Sequence, residues 1–527
     1  MRAQHLHALA ISTALSTSLI TTVPVRAQQP PAPEPASAAA APPTSPPLAA
    51  PPTATTPKGT VLPPVVVTQP KAPPAAKEKP QTMVAQKKVA KSSQAPAPAK
   101  PPRKPSANPS ATATAPSEPI PVLSPPAGTT VVVGERFAPV STATATDVTA
   151  THGATIADTL QTMPGIAGST FAPGANRPIV RGLDNNRVHV QESGIGTGDV
   201  SDLSEDHAVP VDPCAVTRVD VIHGPAALRF TNKAAGGVVD ADTDRVPASV
   251  PAGGVSGEMR GGVSSVDGGH DACFKARAGA QGFVAQASGF DRHAGDYRIP
   301  GGTQANSAVD SHGFSVGGSL VWSSGYAGVS FSRLTSLYGI PGIESAEERK
   351  RIDLGQDRVV AKGEWRVRDF GIEAIRASFG FTDYAHDEIL FDAAGGADVV
   401  GSRFANKERE GRAEIDHARL ATPLGVLSGT AGIQVSSRDL SGVSFEGDNL
   451  LEPGTTRKTA GFLIEELQVT RSLRLLGALR VQNDAVTGST YADITAPAQP
   501  LVAYDRSFGT VSGSLGLLYD LPLGVTA

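Results

Sequence analysis

The stretch 216-VTRVDVIHGPAALRFTNKAAGGVVD-240 joins a charged strand, a Gly-Pro break and a second strand that follows paired glycines. Apolar residues alternate with polar ones before the break, and Gly224-Pro225 ends that first strand because proline has no backbone N–H to donate. Gly236-Gly237 permits another backbone to approach closely before the next valines. We therefore predict a small α+β unit here. No nucleophile paired with a base stands out in it.

Two motifs precede this unit. In 154-ATIADTLQTMPGI-166, the apolar residues through Ile166 fall at helical spacing, Asp158 suits the first turn of a helix, and the Pro-Gly pair ends it. The second motif, 177-RPIVRGLDNNRVHV-190, predicts two short strands on either side of a turn.

In this order and spacing, the three motifs resemble the plug domain of TonB-dependent outer-membrane receptors, and the resemblance covers roughly residues 128–527. It implies an α+β plug domain over residues 128–250, followed by an antiparallel transmembrane β-barrel over residues 251–527. It also implies a monomer in outer-membrane lipid that transports a nutrient. Neither an enzyme active site nor a tightly bound cofactor is expected.

The composition is compatible with an exported protein. The chain has 527 residues, a formal net charge of −4 and only 18% charged residues, so we expect no nucleic-acid partner. Residues 1–27 are similar to a secretory signal peptide that ends in an A-x-A-like cleavage site. Residues 28–127 form a Pro/Ala/Lys-rich segment, which we predict to be a disordered linker because it has too little apolar surface to fold.

Beyond residue 250 the sequence alternates apolar residues with polar or small ones, as in Phe314, Val316, Leu320 and Trp322. Short breaks between these runs alternate with longer polar ones, which is typical of a transmembrane barrel and not required of a soluble β-sandwich. We count about 12 of the 22 strands that the resemblance implies. The sequence therefore predicts a partial, truncated barrel, and a non-functional receptor fragment is one alternative for its function.

A short extended box before the plug pairs as a strand with TonB in this family. Thr130, Val131, Val132 and Val133 are similar to that box, and they form a β-prone run without internal proline. Residues 65–68, Val-Val-Val-Thr, are a second candidate. A surface signalling sensor is an alternative function, but residues 28–127 have the composition of a linker rather than of a folded signalling domain.

The best clue to the substrate is 203-LSEDHAVPVDP-213, in which Asp206 and His207 are adjacent oxygen and nitrogen donors. Here the resemblance narrows to the zinc-uptake receptors, in which an Asp-His pair of the plug binds metal, and it implies that role for Asp206 and His207. Because zinc accepts mixed imidazole and carboxylate ligands, we expect His386 and Glu388, at an outer strand end, to complete the site. Residues 343–350 lack the His-rich loop that many of those receptors carry. The transported substrate is thus zinc or a ferric chelate such as a siderophore or haem. The alternative role of Asp206 and His207 is to hydrogen-bond the plug loop.

The chain has two cysteines, Cys214 and Cys273. An oxidising periplasm permits a disulfide between them, but the sequence alone does not place them within bonding distance. We expect two separate thiols rather than a bonded pair.

Overall fold

The computed structural model describes residues 140–151, 153–233, 235–367, 370–447, 450–491, 500–521 and 525–526. The predicted signal peptide, the linker and both candidate TonB boxes, including Thr130 to Val133, lie outside the described residues. Among the helices in the described ranges, none combines the length and apolar character needed to cross a membrane.

Residues 140–243 form a small α+β unit, which we call the inner unit. Its elements in chain order are β1 (Val140–Thr144), α1 (Ala145–Thr151), α2 (Ile156–Leu160), β2 (Ile166–Gly168), β3 (Pro178–Val180), β4 (Val188–Glu192), β5 (Ile195–Gly196), β6 (Val216–Ile222) and β7 (Gly237–Thr243). The sheet has the strand order β1-β6-β7-β4-β5, in which β4 and β7 are parallel and the other neighbours are antiparallel. A separate antiparallel pair joins β2 to β3.

The helix predicted between residues 154 and 166 forms, but it is shorter than expected. Thr155 and Asp158 cap its N-terminus reciprocally, each side chain bonding the backbone N–H of the other. The helix ends at Leu160, and Gly165 takes a positive φ of 78° before the chain enters β2 at Ile166. Because Ile166 is buried in the same apolar cluster as Leu160, tertiary packing satisfies its hydrophobicity without a further helical turn.

The strands flanking the turn near residue 184 form as predicted, but β3 pairs with β2 and β4 pairs with β7, so they do not make a hairpin. The paired glycines have the predicted steric role. A Cβ added at Gly236 would lie 2.9 Å from Cγ2 of Val188, and one added at Gly237 would lie 2.8 Å from the carbonyl oxygen of Ile222. Gly237 also has a φ of +129°, which side-chain-bearing residues rarely adopt.

The remaining described residues form a 13-stranded antiparallel sheet, the outer sheet, whose last strand has only two residues. Its neighbours follow chain order without a crossover. The outer-sheet strands are β8 (Val255–Val263), β9 (His270–Ala280), β10 (Phe283–Ala294), β13 (Val309–Trp322), β14 (Gly325–Gly339), β15 (Arg351–Trp365), β16 (Ile372–Asp392), β17 (Ala397–Thr422), β18 (Gly425–Ser444), β19 (Leu451–Gln468), β20 (Leu473–Tyr491), β21 (Leu501–Leu521) and β22 (Val525–Thr526).

The predicted alternation along these strands is confirmed. In β13, Phe314, Val316 and Leu320 are 50%, 49% and 60% exposed, whereas Ser315 and Ser319 on the opposite parity are buried. An outward apolar face opposite a polar or small inward face is the pattern of a transmembrane β-strand. The inward face of the outer sheet contacts the inner unit. For example, Gln356 Nε2 donates a 3.0 Å hydrogen bond to the carbonyl oxygen of Thr197.

Short and long connections alternate along most of the outer sheet, although the strands extend further than expected and residues 366–371 form a longer connection than residues 393–396. The predicted short turns are present, for example at residues 281–282 and 323–324. The break predicted at residues 387–401 shrinks to residues 393–396, because β16 and β17 continue pairing beyond it. Two long connections contain structure of their own, the two-strand hairpin β11 (Arg298–Ile299) and β12 (Gly302–Thr303), and the helix α3 (Ile343–Glu347).

The expectation of separate thiols is wrong, because Cys214 of the inner unit and Cys273 of β9 form a disulfide, with their Cα atoms 6.4 Å apart. Neighbouring contacts hold the two segments together. Arg260 donates a 3.0 Å hydrogen bond to the carbonyl oxygen of Cys214, and Lys275 donates one of 3.3 Å to that of Val216. The pairing of β8 and β9 against the inner unit brings the two cysteines together, and nothing local in the sequence encodes that contact.

Candidate metal site between the inner unit and the outer sheet

The long loop between β5 and β6 carries Asp206 and His207 to the outer sheet, where they meet His386 and Glu388 of β16. His207, His386 and Glu388 each offer one ligand atom, and these atoms lie within 4.8 Å of one another. Asp206 adjoins them, with its Oδ1 3.7 Å from Nε2 of His207. The structure therefore brings together all four residues that the sequence nominated for the metal site.

Hydrogen bonding fixes the orientation of the His207 ring. Its Nδ1 lies 3.0 Å from the carbonyl oxygen of Val200, and since a carbonyl only accepts, Nδ1 carries the proton. Nε2 then points to Oε1 of Glu388 at 3.4 Å. Metal-binding histidines typically donate one ring N–H to a backbone carbonyl in this way. With Nδ1 protonated, Nε2 and the Glu388 oxygen are both acceptors, so an ion or a second proton between them would stabilise their approach.

His386 is buried, with 1% of its surface exposed. Its Nδ1 lies 2.9 Å from the hydroxyl of Tyr384. Its Nε2 has no hydrogen-bond partner among the described residues, although it is shielded from solvent. A buried polar atom without a partner is costly, so this nitrogen points to a ligand.

Aromatic packing encloses the two imidazoles. The ring centroids of His207 and His386 are 4.4 Å apart, and each lies 5.0 Å from the ring of Phe404 on β17. Tyr338 fixes the loop backbone, since its hydroxyl donates to the carbonyl oxygen of Asp206 at 2.8 Å and accepts from the N–H of Ala208 at 3.0 Å. The site is thus built on rigid strands and a clamped loop.

The two carboxylates share one cation. Nζ of Lys350 lies 3.1 Å from Oδ2 of Asp206 and 3.2 Å from Oε2 of Glu388. Ser204 donates a further, short hydrogen bond to Oδ1 of Asp206.

The surroundings of His207 and Asp206 favour the charged forms of both side chains. Burial disfavours the charged imidazole of His207, but the hydrogen bond to Glu388 and the Asp206 carboxylate outweigh it, so the pKa of His207 is raised. Burial likewise disfavours the ionised form of Asp206. The hydrogen bond from Ser204 and the Lys350 ammonium outweigh it, so the pKa of Asp206 is lowered.

The geometry is close to that of a tetrahedral ion site. Ligand atoms around zinc are separated by about 3.3 Å, given bonds of about 2.0–2.1 Å. The separation of 3.4 Å between His207 Nε2 and Glu388 Oε1 fits this value, and the ligand atom of His386 lies within 4.8 Å of both. Three protein ligands leave a fourth position for Asp206 or water. The alternative for Asp206 and His207, hydrogen bonding within the loop, is also present, since His207 bonds Val200.

From the sequence, no role in the site is predicted for Lys350, Phe404, Tyr338 or Tyr384. Phe404 carried no local signal, because its contact with the histidines depends on the register of β17 beside β16. Lys350 belongs to a run of charged residues that is typical of a solvated loop. The candidate box at Thr130 to Val133 lies outside the described residues.

A second polar contact joins the inner unit to the outer sheet. A short 3-10 helix, Gly224–Arg229, ends in Arg229, whose guanidinium binds both carboxylate oxygens of Glu414 on β17. Arg412 donates to the same carboxylate at 3.0 Å, and Arg480 of β20 donates to the carbonyl oxygen of Arg229 at 3.3 Å. These charges are buried, and they hold the helix against two outer strands, β17 and β20.

An α+β plug followed by a large antiparallel sheet with an outward apolar face, as predicted, is the architecture of TonB-dependent receptors. Residues 135–238 match the family described as TonB-dependent Receptor Plug Domain. The inner unit is therefore a plug domain, and this match together with the fold supports the TonB-dependent receptor family for this chain.

Solved structures of such receptors share the fold. The copper transporter OprC is 14% identical, with a TM-score of 0.61, over 73% of this chain and 63% of that chain. The ferric-catecholate import receptor Fiu from E. coli K12, in its open form, is 14% identical, with a TM-score of 0.54, over 73% of this chain and 68% of that one. The ferric yersiniabactin uptake receptor FyuA from Yersinia pestis is 14% identical, with a TM-score of 0.55, over 73% and 62%. The chain thus spans roughly two thirds of the length of these structures, and the likeness is one of fold.

Proposed function

We propose that this protein is an outer-membrane receptor for TonB-dependent uptake of a metal ion. Asp206, His207, His386 and Glu388 receive the ion, with zinc as the preferred substrate. In this proposal residues 1–27 direct export, residues 28–127 form the linker, residues 128–250 contain the TonB box and plug, and residues 251–527 contribute to the barrel. TonB engages the box at Thr130 to Val133 and remodels the plug to open a path.

The observation that carries the proposal is the buried Nε2 of His386, which has no hydrogen-bond partner among the described residues and lies beside His207 and Glu388. When Nδ1–H of His386 donates its hydrogen bond to the hydroxyl oxygen of Tyr384, the Nε2 lone pair is available to an ion. Two imidazoles and a carboxylate from two separate elements then converge on one point. A divalent cation at that point would neutralise the carboxylates of Asp206 and Glu388.

The donor set favours zinc over cuprous copper. Thioether and thiolate sulfur select Cu(I), whereas mixed imidazole and carboxylate suit Zn²⁺. Cys214 and Cys273 are bonded to each other. Of the methionines in the described ranges, Met163 packs against the plug core and Met259 is exposed on β8. In the described part of the chain, this site therefore has none of the sulfur ligands that select Cu(I).

Calorimetric titration of the whole chain in detergent with Zn²⁺ tests the proposal. We expect one site, and we expect His386→Gln to weaken binding by about 10-fold or more, because an amide cannot replace the imidazole lone pair. His312→Gln is the matched control, since His312 is an exposed histidine whose ring contacts Thr335 on the outer sheet.

A thermal melt of each variant separates ligation from structure. If His386 and His207 only hold the loop, His207→Ala lowers the melting temperature while the zinc affinity stays unchanged. Wild-type protein that binds no Zn²⁺ would refute the zinc proposal and transfer the assignment to a ferric chelate.

A further inference from the structure

We infer that Lys350 is a built-in competitor for the metal ion: its ammonium group neutralises Asp206 and Glu388 in the unloaded site and must swing away when the ion binds. This inference rests on the proposed function. It adds a residue that sets affinity and links occupancy of the site to the connection between β14 and β15.

The contacts show that ammonium and ion compete for the same oxygens. Nζ of Lys350 lies between the two carboxylates, 3.1 Å from Asp206 and 3.2 Å from Glu388. Glu388 is at the same time the carboxylate nearest the His207 nitrogen that an ion would use. A dication held by Glu388 would lie within a few ångströms of the ammonium, and two positive charges at that distance repel strongly in a partly buried site.

The side chain of Lys350 is free to leave because its backbone is held independently. Its N–H donates to the carbonyl oxygen of Ser345 at 2.8 Å. Its carbonyl accepts from the N–H of Ile340 at 3.0 Å and from the Asn306 amide at 2.6 Å. The Lys350 side chain is 25% exposed, so it has a route to solvent. Displacement therefore requires side-chain rotation without unfolding of the connection.

Lys350 is the member of a basic triplet that faces the site. Arg349 and Arg351 flank it, and both pair with Asp398 on β17, at 3.1 Å and 2.6 Å. Arg349 also stacks over the ring of Phe391 at 3.8 Å. Because Arg349 and Arg351 are held by the sheet, Lys350 is the residue of the triplet whose side chain can move between the site and solvent.

A competing ammonium has a consequence for transport. Asp206 and Glu388 have a counter-charge in the unloaded state, so the site does not hold two uncompensated carboxylates. The returning ammonium also favours release of the ion. The ammonium group thus lowers the affinity for the ion and makes binding more readily reversible, which suits a receptor that must release its substrate.

The test is calorimetric titration with Zn²⁺ of wild type, Lys350→Met and Lys350→Arg, using the whole chain in detergent. Methionine keeps much of the apolar stem of lysine without its charge, so we expect the affinity for Zn²⁺ to rise by about 10-fold or more in Lys350→Met. Arginine keeps the positive charge that competes with the ion, so the affinity of Lys350→Arg should stay near the wild-type value. Lys407→Met is the matched control, because Lys407 pairs with Asp383 at 3.3 Å and is more than half exposed. If Lys350→Met does not fold, Lys350→Gln serves as the neutral variant, since its amide can still bond one carboxylate.

Hydrogen exchange gives an independent measurement. Because the backbone of Lys350 keeps its own hydrogen bonds, Zn²⁺ should leave amide exchange across residues 343–350 of wild type unchanged, and Lys350→Met should show the same exchange without zinc. Faster exchange in either case would mean that the backbone of the connection opens, which contradicts displacement by side-chain rotation alone. If wild type binds Zn²⁺ but Lys350→Met has equal or lower affinity, the inference is wrong and the metal site stands. If neither binds Zn²⁺, the proposed function fails and the inference fails with it.

Discussion

The disulfide between Cys214 and Cys273 makes a covalent link between the plug domain and the outer sheet, and its removal has a calculable cost. We predict that Cys214→Ala lowers the free energy of unfolding of the whole chain. Alanine is the replacement used at both positions, because Cys273 is buried and a serine hydroxyl there would add the cost of a buried polar group.

The magnitude follows from the loop that the bond closes. The cysteines are 59 residues apart in sequence, and the chain-entropy relation for a loop of that size gives about 4 kcal/mol at 25 °C. The hydrogen bonds from Arg260 and Lys275 remain in the variant and keep the two segments adjacent. We therefore expect a loss of about 2–4 kcal/mol.

Urea unfolding in detergent, followed by tryptophan fluorescence, measures the loss. The free energy of unfolding should fall by the same amount in Cys273→Ala, in the variant with both cysteines replaced and in reduced wild type. Each of these changes removes the same single bond. Peptide mass mapping without reductant should recover the fragments containing Cys214 and Cys273 as one joined species.

Two free thiols in unreduced, unfolded wild type would refute the reasoning. So would a double variant as stable as wild type, because the covalent link would then contribute nothing to the folded state.

Three further predictions concern coupling, packing and pH. Val132→Pro removes a backbone N–H from the candidate box, so uptake into cells should be lost while zinc binding stays unchanged; normal uptake would place the box elsewhere, with residues 65–68 next. Arg229→Met leaves the buried Glu414 carboxylate without its two-pronged partner and should cost about 3 kcal/mol in urea unfolding, and a loss below 1 kcal/mol would contradict this. Burial, aided by Asp242, raises the pKa of Asp240 from 3.8 to about 6, so the folded state binds the extra proton. Stability should then decline by up to about 3 kcal/mol as pH rises from 4 to 6, and Asp240→Asn should abolish that decline; a decline that persists in the variant would assign it to other groups.

Much of the fold followed from local pattern. Alternation of period two in residues 314–322 predicted β13 because successive side chains of a strand point to opposite faces of the sheet, one apolar and exposed and the other polar and packed on the inner unit. Glycine at positions 236 and 237 predicted a close approach because other residues would clash there. The predicted end of the helix at Pro164-Gly165 was wrong, because the helix stops at Leu160 and the buried Ile166, which also fits helical spacing, belongs to a strand.

The candidate site was only half visible in the sequence. Asp206 and His207 are adjacent, and His386 and Glu388 lie two residues apart on one strand, so each pair carried a local signal. Their convergence across 181 residues depends on how the plug loop meets β16.

The sequence by itself determined the two-part organisation, the outward face of the strands and the residue types able to bind a metal ion, because those depend on neighbours along the chain. Tertiary structure decided that Cys214 bonds Cys273, that Nε2 of His386 is buried without a partner among the described residues, and that Lys350 reaches Asp206 from 144 positions away. The physical reason is that these three features are contacts between elements, and their energies depend on distances that arise only when the plug packs against the sheet.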